Sequence, residues 1–206
     1  MAANWALYKD RLAAIREEWD KAEADIKQAE QVCGQVVFPS IKELRYAGRR
    51  LVEILTQIEN NASEAVLADL FSDAEFDCIR ARHDAIDAAT AKVALDLENA
   101  AEKLGYLVLC QAFPKFSELR LKLAAVRGAI VKSRGNRTDR KAIYAVLESI
   151  DFPQLVGLFS EFQASEPVMK DMATAERRKS LRNSIFGWVG VASLIASVIG
   201  ILITTN

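Results

Sequence analysis

The chain has 206 residues, with 27 Lys and Arg against 28 Asp and Glu, giving a formal net charge of −1. That length allows one sizeable hydrophobic core or two small ones, and so even a balance excludes a general pull toward nucleic acid, so no nucleic-acid partner is expected. Cys33, Cys78 and Cys110 stand far apart without a CxxC pair, which points to buried, reduced thiols in a cytoplasm rather than a disulfide framework.

Nearly all of the chain before residue 185 is written in helical period. Trp5, Tyr8, Leu12, Ile15, Trp19, Ala22, Ile26, Ala29, Cys33 and Val36 keep strict 3-4 spacing, the pattern of a helix packed along its length as in a coiled coil. Pro39 is expected to end it. A second helix follows with Ile41, Leu44, Gly48, Leu51, Leu55 and Ile58 on one face, closed by Asn60-Asn61. A short helix, Glu64 to Phe71, leads to Ser72-Asp73-Ala74-Glu75, a capping-box sequence predicted to open a new helix. Its seam is Phe76, Ile79, His83, Ile86, Thr90, Val93, Leu97, Ala100, Leu104 and Leu107, with a stop near Gln111 before Pro114.

The pattern then returns. Phe38-Pro39-x-x-x-Glu43-Leu44-Arg45 reappears as Phe113-Pro114-x-x-x-Glu118-Leu119-Arg120, and Ala65-Val66-x-Ala68-x-Leu70-x-Ser72 as Ala142-Ile143-x-Ala145-x-Leu147-x-Ser149. Phe76 and Ile79 find counterparts in Phe152 and Leu155, and the offset drifts between 75 and 77 residues across all the matches. These matches predict two internal repeats of about 75 residues stacked into an antiparallel bundle. A truncated third unit begins at Asp151-Phe152-Pro153, and Pro167 is expected to end its helix.

Catalytic chemistry finds little to work with. The lone histidine, His83, sits on a helical seam, where a packing role is expected. Arg80 and Arg82 are too close to it for the Arg–spacer–His arrangement of helical ribonucleases. No HExxH, P-loop, GxGxxG or paired metal-ligand spacing occurs, so no catalytic residue, cofactor or metal is expected. Glu17-Glu18 is read as a solvated pair. Glu43 and Glu118, next to Arg45 and Arg120, are read as acids at helix starts, where the dipole favours them.

Charge is strongly segregated. Glu59 to Glu102 holds eleven acidic and three basic residues, whereas Lys115 to Lys141 holds nine basic and two acidic. The basic stretch, including Arg134, Arg137, Arg140 and Lys141, could face anionic lipid, a partner subunit or solvent.

Finally, Ile185 to Thr205 contains 21 consecutive uncharged residues. As a helix it is roughly 30 Å long, enough to cross a bilayer. Arg177, Arg178, Lys179 and Arg182 precede it, which places the N-terminal part in the cytoplasm. Gly190, Ser193, Ser197, Gly200 and Thr204 form a stripe suited to close association of membrane helices. The expectation is an all-α protein: a cytoplasmic helical-repeat bundle over 1–166, a basic juxtamembrane segment over 167–184 and a single C-terminal transmembrane helix over 185–205. Its expected role is a tail-anchored interaction protein that forms homo-oligomers or binds a protein partner. The alternative is a membrane-perturbing effector, such as a toxin or antiviral defence component, whose gathered anchors permeabilise the membrane.

Overall fold

The computed structural model describes residues 5–135 and 139–179. Among these the regular structure is entirely helical, packed as a bundle and without a strand. The proposed span 185–205, with Gly190, Ser193, Ser197, Gly200 and Thr204, lies outside the described residues, as do Arg137 and Arg182. The chain divides into two compact units: one is built up to Glu98 and from Glu118–Phe159, the other from Asn99–Ser117 and the described residues from Ser160 on.

A single 3-10 turn, Trp5–Tyr8, leads into α1, Lys9–Cys33. Ile15, Ala22, Ile26 and Ala29 are buried as their spacing predicts. The helix stops well before Pro39. Gly34 takes a left-handed conformation (φ 67°), and its N–H donates to Glu30 O at 2.8 Å, a stop that glycine makes without Cβ strain. Val36 is therefore outside the helix and exposed. Pro39 instead serves the first turn of α2, Phe38–Glu59, where its missing N–H costs nothing.

The buried face of α2 is Ser40, Glu43, Leu44, Ala47, Ile54 and Ile58. Leu44 and Ile58 of the expected stripe are among them, but the face is rotated toward Ser40, Glu43, Ala47 and Ile54, and Ile41 and Leu55 are each 42% exposed. Gly48 explains the rotation in part, since it lies against the Trp19 indole of α1 and leaves the polar Ser40 and Glu43 to turn inward. Ile54 and Ile58 join Ile15, Leu67, Phe71 and Ala74 in one apolar cluster.

The longest element is α3, Glu64–Leu104, with 41 residues. Ser72-Asp73-Ala74-Glu75 lies inside it and opens nothing, because Phe71 and Ala74 are both buried on the same continuous face as Leu67 and Cys78. Continuity shifts the first half of the seam, so Phe76 is 54% exposed. From His83 to Leu97 the expected seam holds. Ala74, Ala81, Ala85 and Ala89 are fully buried, and such small side chains let neighbouring helices approach closely. Arg50 pairs with Asp73 at 2.8 Å and Asp77 at 2.7 Å, and Arg80 with Glu43 at 3.3 Å, so α2 and α3 run antiparallel.

Gly105 (φ 84°) ends α3 short of Gln111, and α4, Tyr106–Ala112, follows. Next comes α5, Phe116–Gly135, which runs back alongside α3 in the first unit, with Arg134 against Asp87. The two Phe-Pro segments differ in place and environment: Phe38-Pro39 opens α2, whereas Phe113 caps the end of α4 and Pro114 stands in the turn before α5, and Phe38 is 76% exposed against 5% for Phe113. In the second unit Phe162 packs edge-on to Phe113 at 5.7 Å and near Phe116 at 6.0 Å. Lys115 and Glu161 pair there at 2.8 Å.

From Arg140 the chain is helical to Ala164 as α6 (Arg140–Val146), a π turn (Leu147–Asp151) and α7 (Phe152–Ala164). The buried positions step 144, 147, 152, 155, 159, and the five-residue step is the one an i→i+5 turn makes. This stretch is long and apolar enough to cross a membrane by length and composition, although it is not the C-terminal segment that the sequence singled out. Leu147, Phe152 and Leu155 are buried in the first unit, and Asp151 pairs with Lys122 at 3.1 Å, which is how a core helix uses such residues. An eighth helix, α8, spans 166–179, and Pro167 stands in its first turn, opening a helix as well as separating it from α7. Of the cysteines, Cys78 is buried, Cys33 half-buried and Cys110 exposed, so the expectation of three buried thiols holds for Cys78 alone.

The rotated face of α2 can be checked directly. Ile54→Ala should destabilise the chain by about 2–5 kcal/mol, and Leu55→Ala by less than about 1 kcal/mol, in denaturant titrations of the detergent-solubilised protein followed by circular dichroism. Equal losses would contradict the observed register.

Candidate functional site

Seven residues apart on one face of α1, Glu18 and Asp25 flank the apolar seam. Both reach Arg82 of α3: Arg82 Nη1 donates to Glu18 at 2.6 Å and Nε to Asp25 at 3.2 Å. The third side of the fork, Nη2, donates to Glu148, which the π turn brings inward. A guanidinium alone among side chains offers donors in three directions within one plane. The four side chains are only 12–18% exposed. Lys21 adds bonds to Glu17 at 2.7 Å and Glu18 at 2.8 Å. The expectation of a solvated Glu17-Glu18 pair therefore fails for Glu18: Glu17 is on the outside, and Glu18 reaches a buried cation.

Three carboxylates around one guanidinium leave surplus negative charge in a dry place. Burial pushes Glu148 up to about 7, against the pull of Arg82, and the nearby Asp25 and Glu18 add to the rise. Burial likewise raises Asp25 despite its Arg82 bonds. For Glu18, burial is outweighed by the Lys21 hydrogen bond and the charge of Arg82, and its pKa falls. Proton sharing of this kind is how a crowded cluster relieves repulsion.

Next to Arg82, His83 lies flat on Tyr144 of α6, with ring centroids 3.4 Å apart and planes at 18°. Burial, followed by the charges of Arg140 and Arg82, lowers its pKa to about 3. The imidazole is neutral at physiological pH and far from the range of a general acid or base. Its Nδ1 is buried without a hydrogen-bond partner among the described residues. The Tyr144 hydroxyl donates to Asp87 at 2.9 Å, and burial with the Asp87 charge raises its pKa to about 12. Arg134 holds the other Asp87 oxygen at 2.7 Å, and Arg140 lies over the Tyr144 ring at 5.9 Å. A cavity of about 210 Å³ opens beside this centre, lined by Glu18, Lys21, Arg82, His83, Lys141 and Tyr144.

Three of the basic residues singled out from the sequence thus meet here: Arg134 on Asp87, Arg140 over Tyr144, and Lys141 at the cavity wall. Arg177, Arg178 and Lys179 are elsewhere, exposed on α8, where Arg177 donates to the Lys103 carbonyl at 2.8 Å within the second unit. Arg82, Asp25, Tyr144 and Glu148 were not anticipated. The Glu18/Asp25 spacing was the available signal for two of the carboxylates, but Glu148 depends on the π turn, which the sequence pattern does not announce. Glu43, read as a helix-start acid, is buried and bonded to Arg80, whereas Glu118 is exposed near the start of α5.

Chemically the centre is a charge clamp across α1, α3 and the π turn. Among the described residues no group of three or more His, Cys, Asp or Glu is placed to hold a metal. Burial raises the Cys78 thiol to about 12, which makes it a poor nucleophile. The chain matches no protein-family model, no curated protein and no solved structure.

Removing the guanidinium leaves Asp25 and Glu148 without their cation and Glu18 with Lys21 alone. Arg82→Ala should cost about 3–5 kcal/mol of stability, and Arg82→Lys should recover only part of it, because an ammonium cannot fork. Chemical denaturation of the three proteins side by side reads both effects.

The pH dependence has a definite sign. Glu148 binds its proton more tightly folded (about 7) than at its ordinary value of 4.5, so between those values the native state holds more protons than the unfolded one. Its contribution is present at low pH and is lost as pH rises toward 7 and beyond. Glu148→Gln should flatten that slope, narrowing the stability difference between pH 5 and pH 8 by on the order of 3 kcal/mol. An unchanged slope in melts at the two pH values would refute the assignment.

Proposed function

We propose that this chain is a tail-anchored helical interaction protein. Residues 185–205 hold it in a membrane as one spanning helix, and the bundle of two repeats works in the cytoplasm by associating with further copies or with a protein partner. The reading is carried by one observation: 21 uncharged residues, Ile185–Thr205, directly follow Arg177, Arg178, Lys179 and Arg182. Such a flank favours retention of the preceding part on the cytoplasmic side. The exposure of Arg178 and Lys179 on α8 is in keeping with cations that meet anionic headgroups. Work by contact rather than by catalysis is supported by His83, whose imidazole is packed against Tyr144 and held neutral. In this reading the chain uses no cofactor and no nucleic acid.

A second reading rests on the stripe Gly190, Ser193, Ser197, Gly200 and Thr204. Small and hydroxylated residues on one face allow membrane helices to approach and bond, so assembly of the bundle could gather the anchors into a leaky cluster. The protein would then be a membrane-perturbing effector, a toxin or defence component, rather than a recruiter.

The tether is tested by flotation of the full chain with liposomes. Ile195→Arg combined with Val198→Arg places two cations at mid-span, each costing about 3 kcal/mol, and should move the protein to the soluble fraction with its helical spectrum intact. Flotation that survives both changes would remove the anchor. Membrane potential in expressing cells separates the two roles: depolarisation abolished by Ser193→Leu with Ser197→Leu supports the effector, and undisturbed potential supports the recruiter.

A further inference from the structure

Between α3 and α5 of the first unit lies a groove of about 400 Å³. Its floor is made by Thr90, Ala94 and Ile130, all buried. Thr90 is 2% exposed, and its Oγ1 has no hydrogen-bond partner among the described residues, an arrangement that costs free energy. Apolar side chains stand on both walls, with Leu95 53% and Val131 67% exposed. On α5 the exposed apolar surface continues at helical spacing. Leu121 is 72% exposed, Ala124 and Ala125 are exposed, and a Cβ added at Gly128 would meet nothing within 4 Å. Two adjoining helices thus present a strip that another helix could approach to backbone distance.

Charge decides what covers it. The α5 wall carries Arg127 and Arg134, and the α3 wall carries Asp87 and Glu98. Arg134 and Asp87 close one end within the chain at 2.7 Å. Arg127 and Glu98 have no ion-pair or hydrogen-bond partner among the described residues. A face with a basic wall and an acidic wall is complementary to itself when flipped about a two-fold axis along the groove. That operation lays α5 of one copy over α3 of the other and brings Arg127 of each toward Glu98 of its mate. A two-fold axis across the groove would oppose like charges. Isologous pairing of this kind is the commonest form of assembly, and complementary walls set its register.

The geometry points to the α3/α5 groove as the homodimer face of this protein, its occupant the same groove of a second copy. The inference rests on the assembly reading given above and names the surface that carries it. Gly128 and the exposed alanines of α5 permit close approach, and Leu95 and Val131 supply the apolar contact.

Light scattering of the full chain in detergent, with the protein mass separated from the micelle, tests it by charge reversal. The intact chain should give twice its 22.8 kDa mass. Glu98→Arg alone and Arg127→Glu alone should each weaken the dimer at least tenfold, and the two together should restore it to within about threefold. Both positions are on the walls of the groove, so circular dichroism should report an unchanged fold. A self-associating chain indifferent to both reversals overturns this face and leaves assembly standing; a chain that is strictly monomeric overturns both. Flotation is read separately, so loss of the tether and loss of the dimer are distinguishable.

Discussion

The guanidinium of Arg82 is the point on which the first unit turns. It takes Glu18 and Asp25 from α1 and Glu148 from the π turn, so three stretches far apart in the chain share one charge. Helices held only by apolar packing can slide or rotate by a residue at modest cost. A planar fork with three carboxylates seated on it has one satisfactory arrangement. The position of His83 follows, since the residue after Arg82 on α3 must face α6, where the Tyr144 ring receives it. Arg140 and Arg134 then settle around Tyr144 and Asp87. The same crowding explains why a carboxyl with an arginine partner keeps its proton so far up the pH scale: the cation is shared, and water is excluded.

Helical character, and the seams of α1 and the latter half of α3, were legible because period 3.6 is a property of local spacing and survives whatever the neighbours do. Boundaries depended on competition between signals. Pro39 looked like the stronger stop, but Gly34 acted first, because a left-handed residue ends a helix outright whereas proline is welcome in a first turn. Ser72 to Glu75 has the composition of a cap, yet burial of Phe71 and Ala74 on a common face outweighs a local preference worth about 1 kcal/mol. The inward turn of Ser40 and Glu43 runs against polarity and depends on Gly48 lying against Trp19, a tertiary fact.

The segregation of charge along the chain has a partial internal use. Arg134 meets Asp87 and Lys122 meets Asp151 in the first unit, and Lys115 meets Glu161 in the second. Pairs this open to solvent, as Lys115–Glu161 is and Arg134–Asp87 is on its arginine side, contribute little individually and are weakened by salt. They orient α5 more than they stabilise it. What distinguishes the basic segment is the combination of cations with an apolar strip on the same helix, which a simple solvated face does not require.

The five-residue step from Leu147 to Phe152 has a bearing on what lengths of chain this fold accepts. An α-helix advances about 100° per residue, and the π turn takes up its surplus residue so that Tyr144 and Phe152 stay on one side of the helix. Removing that one surplus residue would restore ordinary helical winding and turn the five-residue step into a four-residue one, so Phe152 and Leu155 would still face the interior. Adding one elsewhere in α6 would carry Tyr144 off His83. The wide turn is the place where the helix absorbs an extra residue without disturbing either flank, so this is the one point in the stretch at which a chain one residue shorter would keep Tyr144 and Phe152 on the same side.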